Sequence, residues 1–320
     1  MKGKDLLTLA ELTPADLGLL LDLSAALKRR RSAGLGSGTL RGKSIAMVFE
    51  KPSTRTRVSF QVAVSELGGF PVSLSSSELQ LGRGETIEDT ARVLSRYVHA
   101  VMARVNKHGN LERMARAASV PVINGLSDLY HPMQVLADLT TLRERKGKLK
   151  GLKVAWVGDG DNVCNSWLYG SALAGIDFAV ATPVGYGPLA SAVTEATRLA
   201  RSTGGSVTLT NEPERAVKGA DCVMTDTFVS MGEEQEREKR ASTFLPKYQV
   251  NKRLMSLAKR DAIFEHCLPA HRGEEVAADV IDGPQSVVFD EAENRLHTSK
   301  ALLCFLMQGP KELSSLLRSR

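Results

Sequence analysis

Lys43-Ser44-Ile45-Ala46-Met47-Val48-Phe49 is a short apolar run of β character. Glu50-Lys51-Pro52-Ser53-Thr54-Arg55-Thr56-Arg57 follows it directly and opens a helical pattern from Val58 to Leu67. A strand that passes through a polar turn into a helix is the unit from which covered parallel sheets are built. Ser or Thr at the helix start is expected to cap the first backbone N–H groups. Those groups, with the positive end of the helix dipole, form a natural phosphate site. Arg55 and Arg57 share the turn and bring guanidiniums suited to bidentate contact with phosphate oxygens, with Lys51 at the rim. The plainer reading is a capped surface helix with solvated arginines. For S-T-R-T alone the two readings are equally good, and the rest of the chain separates them.

The same alternation runs from end to end. Further β-like runs fall at 71–75, 99–104, 120–124, 152–158, 177–182, 206–210, 221–226, 262–267 and 286–289. Helix-start signals lie between them at Thr13-Pro14, Thr86-Ile87-Glu88-Asp89 and Asn211-Glu212-Pro213. Short apolar strands alternating with amphipathic helices predict an α/β protein of two lobes, each a mostly parallel sheet flanked by helices. The seam is expected at the polar turn Lys146 to Gly151. This makes residues 1–147 the first domain, ending in a linking helix over 131–147. Residues 148–320 make the second, with a terminal helix over 296–308 expected to pack back on the first.

Composition narrows the function classes. The chain has 320 residues, 42% hydrophobic and 24% charged, and a formal net charge of +6, an ordinary profile for a folded globular protein. The basic runs Lys28 to Arg31 and Arg143 to Lys150 fall at apparent helix ends, where the dipole alone favours them. With no basic arm, finger spacing or stacking motif, nucleic acid is not expected as a partner. No apolar run approaches the roughly 18 residues of a membrane span, and the first residues lack a signal-peptide core. Cys164, Cys222, Cys267 and Cys304 are widely spaced without C-x-x-C, which fits reduced thiols and a cytoplasmic location.

In open parallel sheets, ligands bind outside the carboxyl ends of the strands. The unusual loops of this chain fall there: Ser53 to Thr56, Arg104, His131-Pro132-Met133-Gln134, Gly158 to Asn162, Asp226 to Gly232, and His266-Cys267-Leu268-Pro269. Six polar loops at strand ends predict a site in the cleft between the lobes.

Four of these motifs carry a family resemblance: Ser53-Thr54-Arg55-Thr56-Arg57, His131-Pro132-Met133-Gln134, Asp226-x-x-x-Ser230-Met231-Gly232 and His266-Cys267-Leu268-Pro269. The chain resembles the aspartate/ornithine carbamoyltransferase family, and within it the ornithine carbamoyltransferases, from about residue 5 to about residue 310. The first two motifs mark the carbamoyl phosphate lobe shared across that family. The latter two are specific to an ornithine-type acceptor site.

The resemblance implies a set of roles. Ser53, Thr54, Arg55 and Thr56 match the phosphate cradle, Arg104 and His131 the groups that face the donor's carbonyl oxygen, and Gln134 the residue that holds the carbamoyl amine. Gln80 matches a glutamine that reaches carbamoyl phosphate from a neighbouring subunit. Asn162, Asp226, Ser230 and Met231 match the ornithine contacts, with Asp226 on the α-ammonium. Cys267 and Leu268 fall near the δ-amine, and Arg295 closes over the carbamoyl group. Catalysis is thus assigned by resemblance to Arg104, His131, Cys267 and Arg295. The expected substrates are carbamoyl phosphate and L-ornithine, giving L-citrulline and phosphate in arginine metabolism. No cofactor or metal is expected, and the assembly is a trimer or a multiple of one. His266-Cys267-x-x-x-His271 offers too few ligands for a zinc site. Where the family usually has Asn-Asn, this chain has Asp161-Asn162; Asn162 matches the ligand-binding position, and the added charge of Asp161 either favours a cation or faces solvent.

Three other readings fit less well. Gly158-Asp159-Gly160-x-x-Val163 has two glycines of the dinucleotide fingerprint but lacks the third, and no acidic residue follows at the next strand end, Phe178 to Pro183. A catalytically silent regulator would have lost cradle or acceptor residues, and every matched position is intact. Transfer to putrescine or an N-acylated ornithine would need a different loop from Ser230-Met231-Gly232.

Overall fold

The computed structural model describes residues 3–75, 78–79, 84–229 and 234–318. Gln80, Ser230 and Met231, three of the expected ligand contacts, lie outside the described residues. The chain divides into two compact units, Met1–Thr140 with Glu293–Arg320, and Thr141–Ala292.

The first unit opens with α1 (Pro14–Ser32), then alternates β1 (Ser44–Phe49), α2 (Thr54–Glu66), β2 (Phe70–Ser75), α3 (Ile87–Tyr97), β3 (Ala100–Arg104), α4 (His108–Ala117) and β4 (Val122–Leu126). α5 (Pro132–Lys146) leads out of it. The second unit holds β5 (Lys153–Val157), α6 (Asn162–Ala174), β6 (Asp177–Ala181), α7 (Ala190–Thr203), β7 (Ser206–Thr210), α8 (Pro213–Val217), β8 (Cys222–Thr225), α9 (Arg237–Phe244), α10 (Lys252–Met255), β9 (Ile263–His266) and α11 (Ala278–Ile281). α12 (Val288–Met307) begins in the second unit and ends in the first, where α13 (Pro310–Arg318) completes the chain.

Every pairing within the two sheets is parallel. The first sheet runs β2-β1-β3-β4 and the second β7-β6-β5-β8-β9. Central strands are apolar throughout because both faces are covered: β3 is buried at all of its positions, and β1 at all but the first. The chain order reverses between β1 and β3 in the first sheet and between β5 and β8 in the second. The loops leaving those strands diverge, opening a crevice at each switch point.

Helix starts follow their side chains. Thr13 and Asp16 form a reciprocal capping box on α1, and Thr86 caps α3 by accepting from Asp89 N–H at 3.1 Å. Ser53 departs from expectation. It occupies the N-cap position of α2 but makes no side-chain cap bond; its hydroxyl instead accepts from Arg104 Nη1 at 3.4 Å.

The expected strand over 286–289 is not a strand. Ser286 makes a single parallel bridge to Phe264, with Phe264 N–H donating to Gln285 O and Val287 N–H to Phe264 O. Pairing stops there because α12 begins at Val288, eight residues ahead of the expected terminal helix. Asp290 and Glu291 in its first turn favour that start.

Candidate active site

The switch point of the first sheet collects the expected donor residues. β1 and β3 are paired with Phe49 opposite Arg104, so the α2 turn and Arg104 emerge side by side. Glu50 joins the two ends: its N–H donates to Arg104 O at 2.9 Å and its carboxylate accepts Asn106 N–H at 2.7 Å. Arg57 lies over the Phe49 ring, 4.6 Å from its centroid. α12 brings Arg295 into the same unit. Its Nη2 donates to Thr56 Oγ1 at 3.1 Å, its Nη1 donates to Gln134 Oε1, and Nη1 lies 3.5 Å from His131 Nε2. Thr56, Arg104, His131, Gln134 and Arg295 are all buried.

Electrostatics set the state of the histidine. Burial, and then the guanidiniums of Arg295, Arg104 and Arg55, push the His131 imidazole well below its ordinary 6.5. It is therefore uncharged near neutrality and offers a neutral N–H. The sequence reading did not include Asp138, which accepts Gln134 Nε2–H at 2.8 Å and is itself 0% exposed. This bond orients the amide so that its oxygen faces Arg295. The i,i+4 spacing on α5 was the signal that could have found it.

The second sheet's switch point carries the expected acceptor residues. The β5 loop closes tightly, since a Cβ on Gly160 would meet Pro188 N at 2.3 Å. Asp161 caps α6, accepting Val163 N–H at 3.1 Å and Cys164 N–H at 3.5 Å. That role is neither of the two alternatives expected for this residue: it is a helix cap. Burial, and then the carboxylates of Asp226 and Asp159, push its carboxyl well above 3.8, against the pull of those two N–H groups. Asn162 is the first residue of α6. After β8, Asp226 Oδ1 accepts Thr227 N–H at 2.7 Å and the Cys267 thiol at 3.0 Å. Burial, and then the carboxylates of Asp226, Glu291 and Asp161, push that thiol well above its ordinary 9.0, so Cys267 is a donor and not a thiolate. Cys164, Cys222 and Cys304 are 0% exposed, as expected of small core residues.

Arg240 on α9 was not anticipated. It donates to the Asp159 carboxylate and, at 3.1 Å, to Phe228 O, joining the β5 and β8 loops. Trp156 Nε1 donates to Asp159 O at 2.8 Å from beneath the same loop. Ligand atoms of Asp226, His266 and Cys267 lie within 4.8 Å of one another. Both ring nitrogens of His266 are nevertheless engaged, by Leu268 N–H and by Glu275.

Guanidiniums, an uncharged imidazole and hydroxyls gathered at a helix start are the groups with which α/β proteins bind anions, and the second parallel sheet carries a carboxylate–thiol pair beyond β8 and β9. The carbamoyl-P binding domain of the aspartate/ornithine carbamoyltransferases matches residues 4–144, and their Asp/Orn binding domain matches residues 150–306. The chain belongs to the aspartate/ornithine carbamoyltransferase family. It is 53% identical over 311 residues to the ornithine carbamoyltransferase of Pyrococcus horikoshii, covering 97% of this chain and 98% of that one. It is 53% identical over 301 residues to that of Bacillus subtilis, covering 94% and 93%. The solved structure of the Pyrococcus furiosus ornithine carbamoyltransferase matches with a TM-score of 0.93 at 52% identity, over 96% of this chain and 97% of that chain.

Proposed function

We propose that this protein transfers the carbamoyl group of carbamoyl phosphate to the δ-amine of L-ornithine, giving L-citrulline and phosphate. The observation that carries the reading is the convergence of Arg295 on Thr56, Gln134 and His131, in a chain whose relatives of the same length are ornithine carbamoyltransferases. Ser53, Thr54, Arg55 and Thr56 hold the donor phosphate, with the N-terminus of α2 contributing its dipole. When the amine nitrogen attacks the carbonyl carbon, charge builds on the carbonyl oxygen. Arg104 and the neutral His131 N–H meet it there, already oriented. Gln134, whose oxygen accepts from Arg295, holds the carbamoyl amine. Collapse of the tetrahedral adduct breaks the C–O bond and releases phosphate, which takes up the proton that the attacking nitrogen gives up.

The acceptor enters as an amino acid with two ammonium groups. Asp226 pairs with its α-ammonium, and Asn162, Ser230 and Met231 complete that contact. The δ-amine, with a solution pKa of about 10.4, must lose its proton before attack. Cys267 lies at this end as a neutral hydrogen-bonding thiol, so attack is direct and forms no thioester. Residues 1–147 serve the donor and residues 148–320 the acceptor, with Arg295 returned to the donor side by α12. The protein works in the cytoplasm, in arginine biosynthesis, as a homotrimer or a multiple of one whose Gln80 reaches the neighbouring donor site.

A colorimetric carbamoylation assay with L-ornithine, putrescine, N-acetylornithine and L-aspartate in parallel tests the reading. Rapid citrulline formation from ornithine alone is the expected result. Turnover of a different amine would overturn the roles of Asp226, Ser230 and Met231.

A further inference from the structure

His266 and Glu275 are buried at 1% and 0% exposure and take no part in the chemistry above. His266 closes β9, one residue before Cys267. Its backbone N–H donates to Glu291 Oε2 at 2.8 Å, and its Nδ1 accepts Leu268 N–H at 2.9 Å. Because Nδ1 accepts, the ring proton sits on Nε2, which faces Glu275 Oε1 at 3.2 Å. The same carboxylate oxygen accepts His271 N–H at 2.6 Å. Burial alone would raise the Glu275 carboxyl, but the hydrogen bonds from the His266 ring and His271 N–H outweigh it and hold the group below 4.5. The backbone anchors Glu275 in turn: Val250 N–H donates to Glu275 O at 2.9 Å, beside the Val250–Val276 bridge.

These bonds converge on a strained turn. Leu268 has φ +57°, and it is the one non-glycine residue with positive φ among the described residues. A branched side chain adopts that region only where its surroundings over-determine it. Here its N–H is the donor that His266 captures, and the preceding thiol is the one that meets Asp226. A histidine–glutamate pair serving core stability alone would share the burial, but its remaining acceptor need not be aimed at this one strained amide.

We propose that His266 and Glu275 are a positioning pair for the acceptor site: the carboxylate aims the imidazole, the imidazole holds Leu268 in its left-handed conformation, and the turn so formed sets Cys267 against Asp226. The inference rests on the acceptor reading of Asp226, Cys267 and Leu268 given above.

The test uses the full-length protein and four variants. His266→Phe and Glu275→Leu fill the same buried space without the hydrogen bonds. His266→Asn keeps an acceptor near Nδ1, and Glu275→Gln keeps an oxygen acceptor. Each is measured for carbamoyl phosphate Kd by calorimetry, for ornithine KM, and for Cys267 alkylation by iodoacetamide, followed by peptide mass spectrometry. His266→Phe and Glu275→Leu should raise the ornithine KM about tenfold or more while leaving donor Kd within about twofold. Cys267 alkylation should quicken about threefold or more as the thiol leaves its partner. His266→Asn and Glu275→Gln should show both effects in smaller but measurable form.

Folded His266→Phe protein with wild-type ornithine KM and wild-type alkylation would overturn the proposal. So would a loss confined to donor affinity. If the two apolar variants do not fold, the conservative pair decides: ornithine KM and the rate of Cys267 alkylation rising together by about twofold or more supports the pair, and no change in either refutes it. Alkylation needs no substrate. Faster alkylation in an enzyme that turns over some other amine would therefore remove the ornithine assignment and leave the positioning pair standing.

Discussion

Arg295 Nη2 donates to Thr56 Oγ1 at 3.1 Å, although 239 residues of chain separate them. The same guanidinium donates to Gln134, so one side chain ties α2, α5 and α12 together within the first unit. Its planar fork serves both partners at once, which an ammonium on a flexible stem cannot reproduce. Arg295→Ala should lower kcat for carbamoyl transfer by about 10²- to 10³-fold, the size of one missing transition-state donor. Arg295→Lys should recover less than about tenfold of that loss. Steady-state kinetics with both substrates varied check the pair; wild-type kcat in the lysine variant would mean that charge alone suffices.

His131 makes stability depend on pH in a defined direction. Its imidazole is held well below 6.5 in the folded protein by burial and by the three arginines. Below pH 6.5 the unfolded chain binds a proton that the folded chain refuses, so folded stability falls as pH drops and is flat above that value. The slope contributed is at most about 1.4 kcal/mol per pH unit. Urea denaturation at several pH values between 5 and 8 should show a shallower acid loss in His131→Asn than in wild type. Parallel curves would exclude a buried, uncharged imidazole at this position.

Cys267 separates direct attack from covalent catalysis. Its thiol is pushed well above 9.0 by burial and by the Asp226 carboxylate that it donates to. Cys267→Ser keeps a hydroxyl donor and should retain activity to within about tenfold, the range of one altered hydrogen bond. Cys267→Ala loses the donor and should raise the ornithine KM. A collapse in the serine variant of about 10⁴-fold, with a burst of phosphate ahead of citrulline, would instead mark a thiolate nucleophile.

Asp161 is a helix cap with an unfavourable charge. Two backbone N–H groups hold it, yet burial and the nearby Asp226 and Asp159 carboxylates raise its carboxyl well above 3.8. A carboxyl raised in the folded state contributes no penalty while protonated and destabilises as pH climbs through its folded value. Asp161→Asn caps equally well without the charge. It should match wild type near pH 4 and exceed it increasingly toward pH 8 in thermal denaturation. A destabilised variant at pH 8 would show that the ionised cap is the favourable form.

The amino-acid sequence by itself determined the elements and the chemistry they carry. Apolar runs such as Lys43–Phe49 and Lys153–Val157 must be covered on both faces, and a polar turn into an amphipathic helix leaves them little choice but parallel pairing. Residues whose spacing is local were equally legible: the turn at Ser53 to Thr56, the cap at Thr86, and the sequence neighbours Cys267 and Leu268. Local signals also misled where pairing had the last word. Val287-Val288-Phe289 has β-branched and aromatic character, yet the neighbouring strand is met at Ser286 alone and the chain turns into α12. Ser53 was read as a cap, and proximity to Arg104 gave its hydroxyl another partner.

Tertiary structure alone decided which strands adjoin, and so where the chain order reverses and the crevices open. It alone joined Arg295 to Thr56, Arg240 to Asp159 across 81 residues, and Cys267 to Asp226 across 41. Hydrogen bonds and charge interactions act over a few ångströms in space and are indifferent to separation along the chain. A motif can therefore announce a side chain, and only the folded backbone can say what that side chain meets.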